Sequence, residues 1–179
     1  MATFIMLPNG TVTTNWDASD GGTPTYQYVD NDNGDTEYLY SDTNNDRIIL
    51  DLAAPSVAEG DIDMSAGITV QIKASAAKTS SGNSQVKFSQ TGTAADSTAI
   101  SNGTDTITVT SGGSYSTYSG TAETTSDGSD VWVYGDLAGL QIRADKFRSD
   151  RFGDLRISYF YAEVTYTAAA VVVDNATFF

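Results

Sequence analysis

Alternation of apolar and polar residues is the feature that most restricts the fold of this chain. In residues 67–75, GITVQIKAS, the apolar positions are Ile68, Val70, Ile72 and Ala74. A period of two places successive side chains on opposite faces of a strand, so this segment is predicted to be a strand buried on one face. Four more segments show the same period, with these inward residues: Ile48, Leu50 and Leu52; Val86 and Phe88; Ile107 and Val109; Leu140, Ile142 and Ala144.

Turn-forming dipeptides separate the predicted strands: Asn9-Gly10, Asn33-Gly34, Asn102-Gly103, Gly112-Gly113 and Asp127-Gly128. Short strands between such turns are typical of an all-β fold, here an antiparallel β-sandwich of jelly-roll type. Long Ser/Thr/Gly-rich loops are expected at 75–84 and 110–130, with at most one or two short helical turns, the best around Gly135 to Gly139. We expect residues 1–167 to form a single β-sandwich domain and 168–179 a C-terminal apolar arm.

The last long strand changes its apolar phase. In residues 155–166, LRISYFYAEVTY, the apolar side chains share one face up to Tyr159 and the other face from Phe160 onward. A β-bulge that shifts the register, leaving Glu163 outward, explains this change, and coverage of both faces by a neighbouring subunit is the alternative.

The chain contains no cysteine and no histidine. Catalytic systems built on those residues are therefore excluded, together with the commonest zinc and iron ligands. Carboxylate, Tyr, Lys and Arg chemistry remains. We expect a non-enzymatic protein with no cofactor.

Acidic residues dominate, with a formal net charge of −14. This charge argues against a nucleic-acid or membrane partner, because phosphate neutralisation needs clustered bases. Five of the nine basic residues nevertheless fall in one short segment: Arg143, Lys146, Arg148, Arg151 and Arg156. This segment is interpreted either as an ordinary solvated hairpin or as a docking patch for an acidic neighbour, for which Arg143, Lys146, Arg148 and Arg151 are the partner-binding residues.

Two groups of carboxylates could carry chemistry. The spacing of DNDNGDTEYLY, residues 30–40, does not fit a helix–loop–helix calcium site, but Asp30, Asp32 and Asp35 could form a looser calcium cage. A solvated turn at a sheet edge is the alternative. Glu59, Asp61 and Asp63 alternate as they would on one face of a strand, which is compatible with a glycosidase pair or with a polar approach to the next strand.

Aromatic residues give the remaining functional signal. Exposed Trp and Tyr side chains stack on sugar rings and anchor protein interfaces. Tyr115, Tyr118 and Trp132 are our residues for a carbohydrate-stacking platform. For Trp16 and Trp132, burial in the core is the competing interpretation.

Five motifs, taken in order, resemble small all-β structural proteins of tailed bacteriophages. They are PNGTVTTNW at 8–16, DTEYLYS at 35–41, GITVQIKAS at 67–75, WVYGDLAGLQIR at 132–143 and RISYFYAEVTY at 156–166. The resemblance covers about half of the chain and implies a jelly-roll or concanavalin-like sandwich in a virion. It also implies that DTEYLYS is a structural strand with Tyr38 and Tyr40 inward.

The resemblance implies a capsid decoration (cement) protein or part of a tail appendage. Our first hypothesis is a decoration protein that contacts the major capsid protein and copies of itself, with a trimer favoured. The alternative is a carbohydrate-binding module of a tail fibre or baseplate. The resemblance also implies localisation in a virion, and because MATFIMLPNG lacks the features of a signal peptide, export by the standard secretory route is not expected. Phe178 and Phe179 lie in the arm beyond the resembling region and are our candidates for contact with the partner, because an apolar arm needs a cover; packing of the arm on its own sandwich is the alternative.

Overall fold

The computed structural model describes residues 1–32, 34–79, 82–91, 102–110, 112–126, 130–149 and 154–170, without the side chains of 90–91, 102–105 and 148–149. Its strands are β1 (Ala2–Met6), β2 (Pro8–Thr14), β3 (Asp17–Ala18), β4 (Leu39–Ser41), β5 (Arg47–Leu52), β6 (Ile68–Lys78), β7 (Ser84–Thr91), β8 (Asn102–Val109), β9 (Ser116–Glu123), β10 (Gln141–Ser149) and β11 (Leu155–Tyr166). Its helices are α1 (Tyr134–Ala138) and the 3-10 turns Tyr26–Tyr28, Glu59–Asp61 and Met64–Ala66.

The strands form two antiparallel sheets. Sheet A has the order β3-β4-β11-β6-β9, and β1 also pairs with β11; sheet B has the order β2-β5-β10-β7-β8. From β4 onward the first strand pairs with the last, β5 with β10, β6 with β9 and β7 with β8. A nested hairpin whose paired strands fall alternately in two sheets is a jelly roll, so the predicted fold is confirmed.

The core lies between the two sheets and is built from the inward residues of the alternating segments. All the predicted inward residues are buried except Ile107, which is partly buried against the core. Phe88 of sheet B and Phe160 of sheet A meet across the core with ring centroids 5.3 Å apart. The period-two prediction is therefore confirmed for all five segments.

The predicted bulge lies in β11. The register against β6 shifts between Ile157 and Tyr159, so Ser158 is the extra residue. Beyond the bulge, Phe160, Ala162 and Val164 are buried, and Glu163 lies on the outer face, where it accepts a 2.7 Å hydrogen bond from Lys73 Nζ. The bulge interpretation is confirmed.

One edge of β11 is shared by two short strands. β4 pairs with residues 155–157 and β1 with residues 162–166, while β6 occupies the whole opposite edge. Between them, the Phe160 amide donates to the Val29 carbonyl at 3.0 Å, and the Val29 side chain is buried. The segment before β4 therefore fills the gap along this edge and comes close to the outer face of sheet A.

The turn predictions were correct in part. Gly112-Gly113 joins β8 to β9 with both glycines at positive φ. Asn9-Gly10 instead lies inside β2 at a register shift, and Asn102-Gly103 begins β8. The Asn-Gly and Asp-Gly pairs at 33–34 and 127–128 lie wholly or partly outside the described residues.

The predicted helical turn is present as α1, whose Leu137 is buried, but the described residues also contain three 3-10 turns, more helical turns than expected. The predicted loops at 75–84 and 110–130 are wrong in part, because β6 continues to Lys78 and β9 lies within the second segment. After β11 the chain continues along its own domain: Ala168 bridges Ile62, and the Ala169 amide donates to the Asp61 carbonyl at 2.9 Å. Residues 171–179, with Phe178 and Phe179, lie outside the described residues. Within the described part of the chain, no helix has the length and apolar character needed to cross a membrane.

Candidate functional site

A group of tyrosines lies on the outer face of sheet A. The bulge in β11 turns Tyr159 and Tyr161 to the side opposite Phe160, and their ring centroids are 4.4 Å apart. Both side chains are half-buried. The side of β11 that faces away from the core therefore presents paired aromatic rings.

Two more tyrosines continue this surface from β4. Tyr38 and Tyr40 have ring centroids 6.1 Å apart in an edge-to-face arrangement. The Arg156 guanidinium lies 4.5 Å above the Tyr38 ring, and Arg156 stands opposite Tyr40 in the register of β4 and β11. We call Tyr38, Tyr40, Tyr115, Tyr159 and Tyr161, together with Arg156, the tyrosine face.

The fifth member, Tyr115, comes from the loop that leads into β9. Burial is the main cause that raises the pKa of Tyr115, and the nearby Asp35 carboxylate adds to it while Arg156 opposes it. Burial also raises the pKa of Tyr159 and of Tyr161. Each of these three side chains therefore lies in surroundings that disfavour the ionised tyrosinate form.

The sheet beneath the tyrosine face is covered. Ser75 and Ala77 lie on the outer side of β6, in register with Tyr159 and Arg156, and they are only 6% and 1% exposed. Residues on the open face of a sandwich are ordinarily solvated. Their burial shows that larger neighbouring side chains cover this part of the outer face.

Several predicted aromatic positions need correction. Tyr38 and Tyr40 do not point inward, because Leu39 and Ser41 of β4 occupy the core side. Trp132 is buried, and its Nε1 donates to the Glu123 carbonyl at 3.1 Å, so it has no open ring face for a sugar. Tyr118 packs against the core. Of the three predicted stacking residues, only Tyr115 belongs to the tyrosine face, and Trp16 and Trp132 are core residues.

The acidic loop before β4 does not form the predicted calcium cage. Asp32 accepts a hydrogen bond from Ser158, Asp35 pairs with Arg156 at 3.5 Å, and Asp30 accepts one from Asn31. Among the described residues, no group of three or more potential ligand side chains could hold a metal ion. The loop instead fixes its carboxylates on the bulge and on Arg156.

Glu59, Asp61 and Asp63 do not share the face of a strand. Glu59 and Asp61 belong to a 3-10 turn, and Asp63 caps the next turn by accepting from the Ser65 amide at 3.0 Å. The Ser65 hydroxyl is the main cause that lowers the pKa of Asp63. The three side chains are therefore distributed over two turns, and the alignment along a strand on which the glycosidase interpretation depended is absent.

A polar groove of about 600 Å³ adjoins the loop that borders the tyrosine face. Its wall includes Asp20, Tyr28, Asp30 and Glu37. The Tyr28 hydroxyl donates to Asp20 at 2.7 Å. Asp30 belongs to this wall and also raises the pKa of Tyr159, so the groove and the tyrosine face are neighbours.

Basic side chains meet on the outer face of sheet B. Asp145 of β10 stands opposite Arg47 of β5 and Lys87 of β7. Its two oxygens accept from Arg47 Nε at 2.7 Å and from Arg143 Nε at 2.5 Å. Lys87 Nζ lies 3.9 Å from the centre of the Phe147 ring. We call these five residues the cationic cleft.

The cationic cleft differs from the predicted basic hairpin. Arg143 belongs to it, but Lys146 points between the sheets and is 0% exposed, which corrects its assignment as a partner-binding residue. The side chain of Arg148 and the whole of Arg151 lie outside the described residues. Arg47 and Lys87 take part instead, although they are far from Arg143 in the sequence.

Four polar side chains close one end of the sandwich on the core side: Ser41, Lys78, Ser84 and Lys146. Ser41 donates to Asp46 at 2.7 Å. Lys146 Nζ is buried without a hydrogen-bond partner among the described residues. Burial is the main cause that lowers the pKa of Lys146, and the charge of Lys78 lowers it further. Three nearby carboxylates oppose this shift: Asp42, Asp46 and Asp154.

No protein-family model matches this chain, and no curated protein matches it significantly.

Proposed function

We propose that this chain is a non-enzymatic structural protein of a tailed-phage virion that decorates the capsid. In this proposal the tyrosine face binds over the joints between subunits of the major capsid protein, and copies of the chain associate as trimers. The sequence motifs that resemble phage structural proteins and the jelly-roll fold support the proposal.

The observation that carries the proposal is the composition of the tyrosine face. Tyrosine and arginine are the residue types most often found at the energetic centres of protein interfaces. Here five tyrosines and one arginine lie together on the outer face of sheet A, above outer-face residues of β6 that are buried. Rigid rings with a polar tip provide contact area at low entropic cost, which suits a broad and permanent contact.

The first test is binding to capsids from which the protein has been removed. Tyr40→Ser and Tyr161→Ser should each weaken binding by about tenfold or more, the usual effect of truncating an interface centre. Val131→Ser is the control, because Val131 is an apolar side chain that is 70% exposed outside the tyrosine face. Bound copies per capsid are counted by quantitative mass spectrometry. Equal occupancy for all four proteins would contradict the proposal.

A second function is favoured by the groove beside the tyrosine face. Tyrosine rings stack on sugar faces, and the neighbouring groove offers carboxylates and hydroxyls for sugar hydroxyl groups. A carbohydrate-binding module of a tail fibre or baseplate would use both. A glycan array distinguishes the two functions: hits that disappear in Tyr161→Ser, from a protein present in few copies per virion, would favour carbohydrate binding over decoration.

A further inference from the structure

We propose that the cationic cleft is a second docking surface, which binds a carboxylate-rich segment of a partner protein. The proposal goes beyond the function given above, because the cleft lies on the outer face of sheet B and the tyrosine face lies on sheet A. A protein with both surfaces could join two partners on opposite sides of its sandwich.

The cationic cleft carries a local surplus of positive charge. Arg47 and Lys87 flank Asp145 on the two neighbouring strands, and Arg143 lies two residues before Asp145 on the same face of β10. Among the described residues, Asp145 is the only acid that forms an ion pair with either arginine. One carboxylate therefore stands among three bases in a chain whose net charge is −14.

The geometry of the two arginines supports the same conclusion. Each reaches Asp145 through Nε, so the ion pair holds the guanidinium group in place. A guanidinium group carries five N–H donors in a rigid fork that matches a carboxylate. The side chain of Arg47 is 41% exposed, and its guanidinium group can therefore donate hydrogen bonds to a second carboxylate that comes from a partner.

The size of the cleft suits a side chain. Its volume is about 260 Å³, and its wall includes the five residues of the cationic cleft. Sites for whole small molecules usually measure about 300–1,000 Å³. The cleft thus accommodates one or two acidic side chains of a segment that continues across the surface.

Phe147 adds an apolar contact at the edge of the cleft. Its side chain is 46% exposed, and the Lys87 ammonium lies over one face of its ring. A polypeptide can place an acidic side chain on the arginines and an apolar neighbour on Phe147. This pairing favours a peptide over a free inorganic anion.

The negative net charge of the whole molecule favours a short acidic segment over a long polyanion as the ligand of the cationic cleft. A long polyanion such as RNA would extend beyond three bases onto an acidic surface and would be repelled. Beyond about 8–10 Å physiological salt screens this repulsion, so a short acidic segment of another protein meets mainly the local positive charge.

The experiment is isothermal titration of the full chain with hexaglutamate, and with hexaglutamine as the uncharged counterpart. Hexaglutamate should bind at physiological salt, where the long-range repulsion is screened, and more weakly as the salt concentration rises further, whereas hexaglutamine should not bind. Lys87→Gln and Arg47→Gln should each weaken binding by about two- to fivefold, the range for exposed charge pairs. Lys73→Gln is the matched control, because Lys73 forms an ion pair with Glu163 on sheet A at the same 2.7 Å as Arg47 with Asp145.

Several outcomes would overturn the proposal. Equal binding of the two peptides, or equal losses in Lys87→Gln and Lys73→Gln, would remove the charge argument. Inorganic phosphate that binds as tightly as hexaglutamate would indicate a free-anion site, and tighter binding of single-stranded RNA a nucleic-acid site. If the protein self-associates in analytical sedimentation and Lys87→Gln abolishes this association, the occupant of the cleft is a second copy of the chain. The capsid assay of the tyrosine variants is independent of all these results.

Discussion

Replacement of Lys146 by methionine should stabilise the protein. Lys146 Nζ is fully buried between the sheets without a hydrogen-bond partner among the described residues. A buried polar group left unsatisfied costs about 1–3 kcal/mol, and methionine fills a similar volume without that cost. Three acids near the amine lose a favourable interaction, which reduces the gain. We therefore expect a net gain of roughly 1–2 kcal/mol in the free energy of unfolding.

For a domain of this size the gain corresponds to an increase of about 2–8 °C in Tm. Lys73→Met is the control, because it removes an amine that is paired with Glu163 at 2.7 Å near the surface. This change should cost no more than about 1 kcal/mol. Chemical denaturation of the three proteins in one buffer measures both free energies.

The pH dependence of stability tests whether the buried charge of Lys146 is the cause of the gain from Lys146→Met. Burial lowers the pKa of Lys146 in the folded state below its ordinary value of 10.5, so the unfolded chain binds more protons between the two values. The contribution of Lys146 to stability is therefore present above 10.5 and is lost as the pH falls through the lowered pKa. The gain from Lys146→Met should shrink as the pH rises through this window. A destabilised Lys146→Met, or a gain that does not change with pH, would refute the reasoning.

Three further predictions follow from the fold. Phe160→Ala should lower the free energy of unfolding by about 3–5 kcal/mol in urea denaturation, because it removes a fully buried ring from the core. Gly67→Ala should cost about 1–3 kcal/mol in the same assay, because Gly67 has φ +75° and ψ 162°, a region that only glycine adopts readily, and a loss equal to that of an exposed Thr→Ala change would contradict this. The raised pKa of Tyr159 keeps its contribution to stability intact below the ordinary tyrosine pKa of 10 and removes it as the pH rises through the raised value. Tyr159→Phe should therefore flatten the alkaline loss of stability.

The sequence was sufficient for the fold because the determining signal is local. Strands such as β6 carry their inward and outward faces in a period of two, and the change of phase in β11 marks the bulge at Ser158. The turns were less predictable. An Asn-Gly pair such as Asn102-Gly103 is compatible with a tight turn, with a bulge or with the start of a strand. Only its pairing with a neighbouring strand decides which of these forms.

The functional surfaces were less predictable because they combine residues from distant strands. The cationic cleft joins β5, β7 and β10, whereas the sequence suggested a hairpin of consecutive bases. One signal was available: with Ile142 and Ala144 inward, the period of two already places Lys146 inward and Arg143 outward. The same rule places Tyr161 and Glu163 outward once Phe160 is inward. For Tyr38 and Tyr40 no such signal existed, because YLY is apolar on both faces.

The position of β11 has a consequence for synthesis of the protein. Among the described strands, β11 is synthesised last, and it lies inside sheet A, where it pairs with β1, β4 and β6. A ribosome-bound chain that lacks residues 155–166 therefore leaves three earlier strands with open edges, which are sites of unwanted pairing. Sheet A can therefore be completed only after residues 155–166 have been synthesised, and the pairing of distant strands makes its folding slow. A chain truncated before Leu155 should accumulate as aggregate, whereas one that ends after residue 170 retains every described partner of β11.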